Sequence, residues 1–508
     1  MDDRIAQLAE RYQPLAVEIL QGAIRIPASY VDRRPEDGGD VLCGTSNHEK
    51  PRLDFLRQKI LEIGAVDRPQ DVGFDGFGNL WWTIADPDDG IPEEAKTLVI
   101  WDGHADTVAA LRPRWKEVAG EGLDPYLGLA DARRVQWEVL EEQLGYLPPE
   151  GERGHLVWGR GAADQLGGVM CQIVASKILC ELRSLGALRG IIVRSYATVA
   201  EEDNEGSGPT YILRHAPPAG GVTCVPDVVI LTEGTGCARE GALGIYRGQR
   251  GRLQIEVEVT GKSCHGSMPE QGRNPLEYGA LIIAEAAELH ASGEGFARDA
   301  FLGRGTRTAS FATLETPSDC AVPERFTFRF DRRLTAGEDP AQALADIERM
   351  ASVARARNAG LKVEVRAPLY NQKTWTGYNP GNRQIYPGWV TPEDHPAIEA
   401  AVATYSRVAS PVIKRCGAPH LREEPRVGRW VFSTDGVGFC VPRADTTLEV
   451  PSSKRWVSTG LYRHPPMLGI GPGIEQNTHK IGECVDRREL APAIAFLARF
   501  PSLYRELA

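Results

Sequence analysis

Seven residues spread along the chain share one chemistry: His104, Asp106, Asp164, Glu201, Glu202, Glu233 and His479. Each lies at the end of an apolar run or in a glycine-bearing loop, as in "TLVIWDGHADT", "GRGAADQLGG", "ATVAEEDNEGSG", "VVILTEGT" and "NTHKIGE". Imidazole and carboxylate groups suit Zn²⁺ and similar divalent ions, and a carboxylate between two such ions can bridge them. Asp106 stands two residues beyond His104, hence on the same face of a strand, where it would accept the second ring N–H of a ligating imidazole. Glu201 and Glu202 follow a buried strand. Adjacent carboxylates there repel one another and are costly to desolvate unless a cation or a proton is present. Because neighbouring side chains diverge, Glu202 can bind a metal while Glu201 stays free as general base for a water. Taken singly, "GHAD" reads as a strand-end turn, and the acidic doublet as a solvated loop running on through Asp203 and Glu205. The ordered set carries the chemistry.

These residues need a scaffold that brings them to one edge. From about Lys96 to Thr235 apolar strand-like runs alternate with helical ones, the pattern of a mainly parallel α/β sheet. Its strands "TLVIWDGH", "GIIVRSYATVAEE" and "PDVVILTEGT" each end in His or acidic residues, at the end of the sheet where open α/β folds bind ligands. A different order starts near Gly251: "RLQIEVEVTG", "NPLEYGALIIAEAAELHAS", "RTASFATLET", "ERFTFRFDRRL", "DPAQALADIERMASVARA" and "LKVEVRAPL". That βαββαβ sequence predicts an inserted ferredoxin-like domain. Residues 1–248 and 375–508 are therefore expected to form a catalytic α/β domain in two parts, with 249–374 as the insert. "HPAIEAAVATYSRVA" and "RRELAPAIAFLARF" read as amphipathic helices covering the sheet.

In this order, "GHADT", "GRGAADQLGG", "AEEDNEGSG", "LTEGT", "SCHGSMPEQGRNP" and "NTHKIGE" resemble the motifs of the M20 family of metallo-hydrolases, the aminoacylase, carboxypeptidase and deacylase type. Through "YRGQRGRLQIEVEVTGKSCHGS" and "FRFDRRLTAGED" the chain resembles most closely a YgeY-like bacterial branch. The resemblance implies a lid and dimerisation role for the insert, a homodimer, and two divalent ions bridged by Asp164, with Zn²⁺ the default and Mn²⁺ or Co²⁺ the alternatives. His104 and Glu233 would complete one ion, Glu202 and His479 the other. Glu201 falls on the general base and Asp106 on the carboxylate behind the first His. His265 matches a catalytic His that reaches across a dimer to the partner's site, and Asn274 and Arg332 fall near positions that hold substrate. Two segments depart from the family pattern, 109–157 and 441–472, and both are expected to wall the substrate cavity.

The resulting expectation is a hydrolase that cleaves an amide C–N bond of a small carboxylate-bearing substrate, an N-acyl amino acid or peptide-like molecule. A second reading keeps the machinery and changes the electrophile to an aromatic ring, as in nitroanthranilate-type aminohydrolases. Trp115, Tyr126, Trp137, Trp375, Trp389 and Trp456 would suit such a ring. A third, a catalytically silent binding or scaffold protein, is opposed by the complete set of ligands and base.

The whole chain is consistent with this. Its 508 residues call for more than one core. A net charge of -11 without a basic cluster argues against nucleic acid as a partner. The ten cysteines include no CxxC pair and read as reduced thiols. "MDDRIAQLAERYQPLAVEIL" lacks the basic start of a signal peptide and no run spans a bilayer, so a cytoplasmic location with no membrane partner is expected.

Overall fold

The strand Thr97–His104 is buried along nearly its whole length, on both faces, because "TLVIWDGH" is almost continuously apolar. Such a strand is stable only inside a sheet covered on both sides. The computed structural model describes residues 1–29, 48–144, 146–215 and 225–507, and places this strand between Ile191–Thr198 and Val228–Leu231, parallel to both. Met467–Gly469 continues the parallel centre beside Val228–Leu231. The nine-stranded sheet runs on antiparallel through Leu80–Ala85 and Val72–Phe74 at one side, and through Ile245–Gln249 and Trp389–Val390 at the other. The mainly parallel character expected from the sequence therefore belongs to the four central strands that carry the site.

One face of the sheet is covered by the helices Asp2–Ile24, Gly167–Glu181, Pro396–Thr404 and Leu490–Leu507, which share a core with Val99, Trp101 and Val193. The other face buries Ile100, Tyr196, Val229, Trp389, Trp430 and Phe439. Close approach is required where Gly168 enters its helix. A Cβ there would stand 1.9 Å from the carbonyl oxygen of Thr232, so the helix can lie against the strand end that leads to Glu233 only with glycine at this point.

The insert is a separate antiparallel sheet in the order Thr306–Glu315, Arg325–Leu334, Gly251–Thr260, Lys362–Arg366, and Ile385–Tyr386 also pairs with Gly251–Thr260. The helices Pro275–Ser292, Pro340–Glu348 and Ala351–Asn358 pack on it over Leu253, Ile255, Phe328 and Ile347. The second helix expected from the sequence is thus two. The Glu285 carboxylate accepts the backbone N–H groups of Ala351 and Ser352, which supplies a fresh helix start after an extended Met350.

Among the described residues neither irregular segment walls the cavity described below, a correction to the sequence reading. Within 109–157, Trp115, Leu140 and Leu144 close over Trp158 and Cys484 to form a small core of their own. Within 441–472, the strands Val441–Pro442, Val457–Thr459 and Tyr462–His464 form a three-stranded sheet, and Met467–Gly469 joins the main sheet. The aromatic excursions are likewise structural: Trp115 and Trp389 are fully buried, Trp375 donates to the Gly78 carbonyl and Trp456 to that of Pro226. No helix among the described residues is long and apolar enough to cross a membrane, and the eight described cysteines are free thiols.

Candidate metal centre and active site

His104 ends its strand fully buried. Its Nδ1 lies 3.0 Å from the backbone oxygen of Asp106 and 3.5 Å from Asp106 Oδ1, so the ring is held from behind. Its Nε2 points forward, 3.0 Å from Asp164 Oδ1, 3.6 Å from Glu233 Oε2 and 3.8 Å from Glu201 Oε2. His479 approaches from the opposite side, with Nε2 3.0 Å from Asp164 Oδ2 and 3.0 Å from Glu202 Oε2. The carboxylate of Asp164 therefore spans the two imidazoles, one oxygen to each. Ligand atoms of His104, Asp164 and Glu202 all lie within 4.8 Å of one another. This donor set of imidazoles and carboxylates fits divalent cations of the zinc type.

The electrostatics agree with that fit. Burial and the neighbouring Asp164 push the Glu233 carboxyl up to about 7. Burial also raises Glu201 well above the usual carboxylate range, and raises Glu202, where Asp164 adds its repulsion. Burial disfavours the cationic form of His479, yet its bonds to Asp164 and Glu202 outweigh that and push it up to about 11. Asp164 itself is held down, because the two imidazoles overcome its desolvation. A pocket of carboxylates that share protons with two imidazoles is a site with more negative charge than its own residues neutralise.

Both the backbone and neighbouring side chains anchor the functional groups. Asp106 does more than face His104: its Oδ1 accepts the N–H of Glu201 at 3.2 Å and its Oδ2 that of Glu202 at 3.0 Å. Thus one carboxylate sets both the first imidazole and the turn that presents the acidic doublet. Arg52, buried on the helix Glu49–Glu62, donates to the Ala105 carbonyl at 2.6 Å and steadies the same loop. Gln165 donates its side-chain N–H to Glu233 Oε2 at 2.6 Å. Behind Asp164, Glu483 Oε1 accepts the N–H groups of Ala163 and Asp164, both at 3.1 Å, while its other oxygen pairs with buried Arg160. Arg160 also donates to the His479 carbonyl at 3.4 Å, where His479 adopts a left-handed backbone (φ 62°).

A cavity of about 360 Å³ opens over Asp164, Glu201, Glu202, Glu233 and His479. Its far wall comes from the insert: Arg252, Asp331 and Arg333, with Glu205, Phe432, Ser433 and Thr478 completing it. Arg333 donates to Ser433 Oγ at 2.6 Å and to both oxygens of Asp331, while Arg252 pairs with Glu205 at 3.0 Å.

Arg332 and Asn274, expected to hold substrate, lie elsewhere in this chain, and His265, expected to serve a partner's site, lies away from this one. Arg332 is not in the cavity. On Arg325–Leu334 the even-numbered residues face the insert's own core, so Arg332 is 2% exposed and paired with Glu338, and its neighbour Arg333 is the one presented to the site. Asn274 is a helix cap: its Oδ1 accepts the N–H groups of Leu276 and Glu277 at the start of Pro275–Ser292. His265 sits on a short exposed strand, its Nδ1 bonded to Ser267, away from the cavity of its own chain. Sequence reasoning missed Arg160, Gln165, Arg252 and Glu483. Arg160 and Glu483 stand within the quoted "GRGAAD" and "THKIGE" motifs, four residues before Asp164 and four after His479, and that symmetry was the available signal.

Comparison with known proteins agrees with this architecture. Residues 247–358 match the peptidase dimerisation domain of the M20 type. The uncharacterized protein YgeY of Escherichia coli K12 is 30% identical over 498 residues, covering 98% of this chain and 96% of that protein. A succinyl-diaminopimelate desuccinylase of Methylobacterium radiotolerans is 26% identical over 283 residues, 55% of this chain and 57% of that enzyme. Among solved structures, the M20 family metallo-carboxypeptidase Sso-CP2 of Sulfolobus solfataricus shares the fold, with a TM-score of 0.58 at 16% identity over 97% of this chain and 99% of that one. With an insert of the dimerisation type, imidazoles and carboxylates converging on Asp164, and a full-length relative of the same branch, the chain belongs to the M20 family of metal-dependent hydrolases that act on C–N bonds.

Proposed function

We propose that this protein hydrolyses the amide bond of a small substrate that carries a carboxylate, with two divalent ions held by His104, Glu233 and Asp164 on one side and by Glu202, His479 and the same Asp164 on the other. Zn²⁺ is the first choice, with Mn²⁺ or Co²⁺ the alternatives. The observation that carries the reading is the Asp164 carboxylate set between two imidazole nitrogens at 3.0 Å each. When bound, such ions supply Lewis acidity to the substrate carbonyl and acidify water.

The chain's own groups do the rest. Glu201 lines the cavity, burial raises its carboxyl well above the usual carboxylate range and so favours its taking up a proton, and among the described residues its ion-pair partner is His104. It receives the proton of the attacking water as oxygen bonds to the carbonyl carbon, then delivers that proton to the amine nitrogen as the C–N bond breaks. Asp106 holds the His104 ring and, through the two backbone N–H groups, the aim of Glu201 and Glu202. Arg333 and Arg252 offer guanidinium forks to a substrate carboxylate at the far wall.

A homodimer is part of the proposal. The strand Thr306–Glu315 is an edge of its sheet and is exposed from Thr308 onward, an open ladder that a second copy can pair with. His265 would then serve the partner's site. The division at 248 and 374 is proposed as the boundary of the moving lid.

The test is turnover in ¹⁸O-water, read by mass spectrometry on metal-loaded protein with N-acyl amino acids, dipeptides and amino-substituted aromatic acids. Amine release with label in the new carboxylate is the expected result. Ammonia release with label in an aromatic product would overturn amide hydrolysis in favour of ring deamination.

A further inference from the structure

The insert contains a group of cations that amide hydrolysis does not use. Arg307 and Arg332 are directly opposed across the strand pair Thr306–Glu315 and Arg325–Leu334, and both are buried. Like charges facing each other across a ladder repel. Arg332 is neutralised by Glu338. Arg307 is not: it donates to the Ala286 carbonyl at 2.6 Å, its Nε has no partner, and no carboxylate lies within ion-pair distance of it among the described residues. With Arg304, these guanidiniums surround the ring of Phe296 at 4.2 to 5.6 Å. The nearby carboxylates are engaged. Asp346 binds Arg349 and Gln342, and Glu285 caps the helix Ala351–Asn358. Burial and then Arg332 lower Arg307 to about 10, against an opposing pull from Asp346.

Beside this pair lies a cavity of about 250 Å³, lined by Arg307, Arg332 and Arg349 and by the carboxylates of Glu285, Asp346 and, at its exposed rim, Glu294. We propose that it binds a tetrahedral oxyanion, either inorganic phosphate or the phosphate of a small ester, held by Arg307 beside the Arg332–Glu338 pair. A buried guanidinium without a counter-charge is costly, and an anion supplies one. The Arg307 guanidinium, with no carboxylate partner among the described residues, can donate to more than one oxygen of such an anion. Bound there, the anion ties the edge strand to the helix Pro275–Ser292 through Arg307 and relieves the repulsion between the strands.

The experiment is calorimetric titration of inorganic phosphate into the full-length, metal-loaded protein and its Arg307→Met and Arg307→Lys variants, with circular dichroism to check folding. Phosphate that binds at the catalytic ions is common to all three, so the site is read as the difference. Wild type is expected to show a phosphate-binding step that Arg307→Met weakens by about 10- to 100-fold and Arg307→Lys weakens less. Identical isotherms for wild type and folded Arg307→Met would overturn the proposal. So would binding that appears only in Glu294→Gln, since the exposed Glu294 on the cavity rim would then be the anion that fills it. Should Arg307→Met fail to fold, anomalous diffraction from arsenate-soaked wild-type crystals decides: a peak within hydrogen-bond distance of Arg307 supports the site, and its absence there sinks it. A titration with glycerol phosphate separates an ester site from one that admits only the free anion.

Discussion

Glu483 accepts the backbone N–H of Asp164 across 319 residues of sequence, at 3.1 Å, while its second oxygen is held by Arg160. The same Arg160 reaches the His479 carbonyl. One buried ion pair therefore fixes the central carboxylate and the last imidazole relative to each other. Replacing Glu483 by Gln keeps its shape but removes the charge that balances Arg160. We expect metal affinity to fall by about 10- to 100-fold, the usual effect of losing a partner behind a ligand. Competition with a metallochromic chelator measures it, and unchanged affinity would mean that the pair serves only the fold.

Glu201→Gln should bind metal as wild type does and lose turnover by about 10²- to 10⁴-fold, because the variant cannot move the proton. His104→Ala should instead lose metal. Metal content by mass spectrometry and kcat on the same preparations separate the two roles; full activity in Glu201→Gln would remove it as the base.

Chelation should abolish activity and lower the melting temperature, and added Zn²⁺, Mn²⁺ or Co²⁺ should restore both. A ligand present at a thousandfold excess over its Kd stabilises the folded state by about 4 kcal/mol. Activity that survives exhaustive dialysis against chelator, with metal shown to be absent, would count against the whole reading.

The neighbours Arg332 and Arg333 should behave differently. Arg333→Met is expected to raise KM for carboxylate-bearing substrates, with little change in melting temperature. Arg332→Met leaves Glu338 buried without its partner, an event that costs about 3–5 kcal/mol, and the protein that still folds should keep its KM. The opposite pattern would put Arg332 back at the substrate.

His464 gives a pH dependence far from the metal centre. It is fully buried, its Nδ1–H donates to the Pro465 carbonyl and its Nε2 accepts from Thr459, so the neutral ring is the one that fits. Burial lowers it from 6.5 to about 4. Its contribution is therefore complete above pH 6.5 and lost as pH falls toward 4, on the order of 3 kcal/mol. Denaturant melts between pH 4 and 7 on wild type and His464→Gln should show a shallower acid limb in the variant; parallel curves would rule the residue out.

Much of this was legible in the sequence where residue types alternate or repeat with a physical cause. The buried strand "TLVIWDGH" predicts its own place at the sheet centre, and the βαββαβ order of the insert is present, with one helix broken where Glu285 intervenes. The two imidazoles and the carboxylates named from their strand-end positions do converge. What was not legible depends on face and on distance. A one-residue difference in register decides that Arg333 and not Arg332 meets the cavity, and "DRR" alone does not set it. Asn274 in "RNPLEY" carries the signature of a helix cap as clearly as that of a ligand contact. The Arg160–Glu483 pair joins segments too far apart for any local pattern to connect.

The spacing of the site along the chain has a consequence for how the protein is made. His104, Asp164, Glu202 and Glu233 all leave the ribosome before the insert is synthesised, whereas His479 and Glu483 follow it. The nascent chain thus displays an acidic half-site without its second imidazole and without the clamp behind Asp164. Besides the pairing of Met467–Gly469 with Val228–Leu231, the late segment Cys484–Asp486 pairs with Leu156–Trp158 and brings Glu483 behind Asp164. On the proposed ligand set, the second ion would therefore wait for the segment that carries His479, and a chain synthesised only as far as the insert is expected to compete weakly for divalent metal.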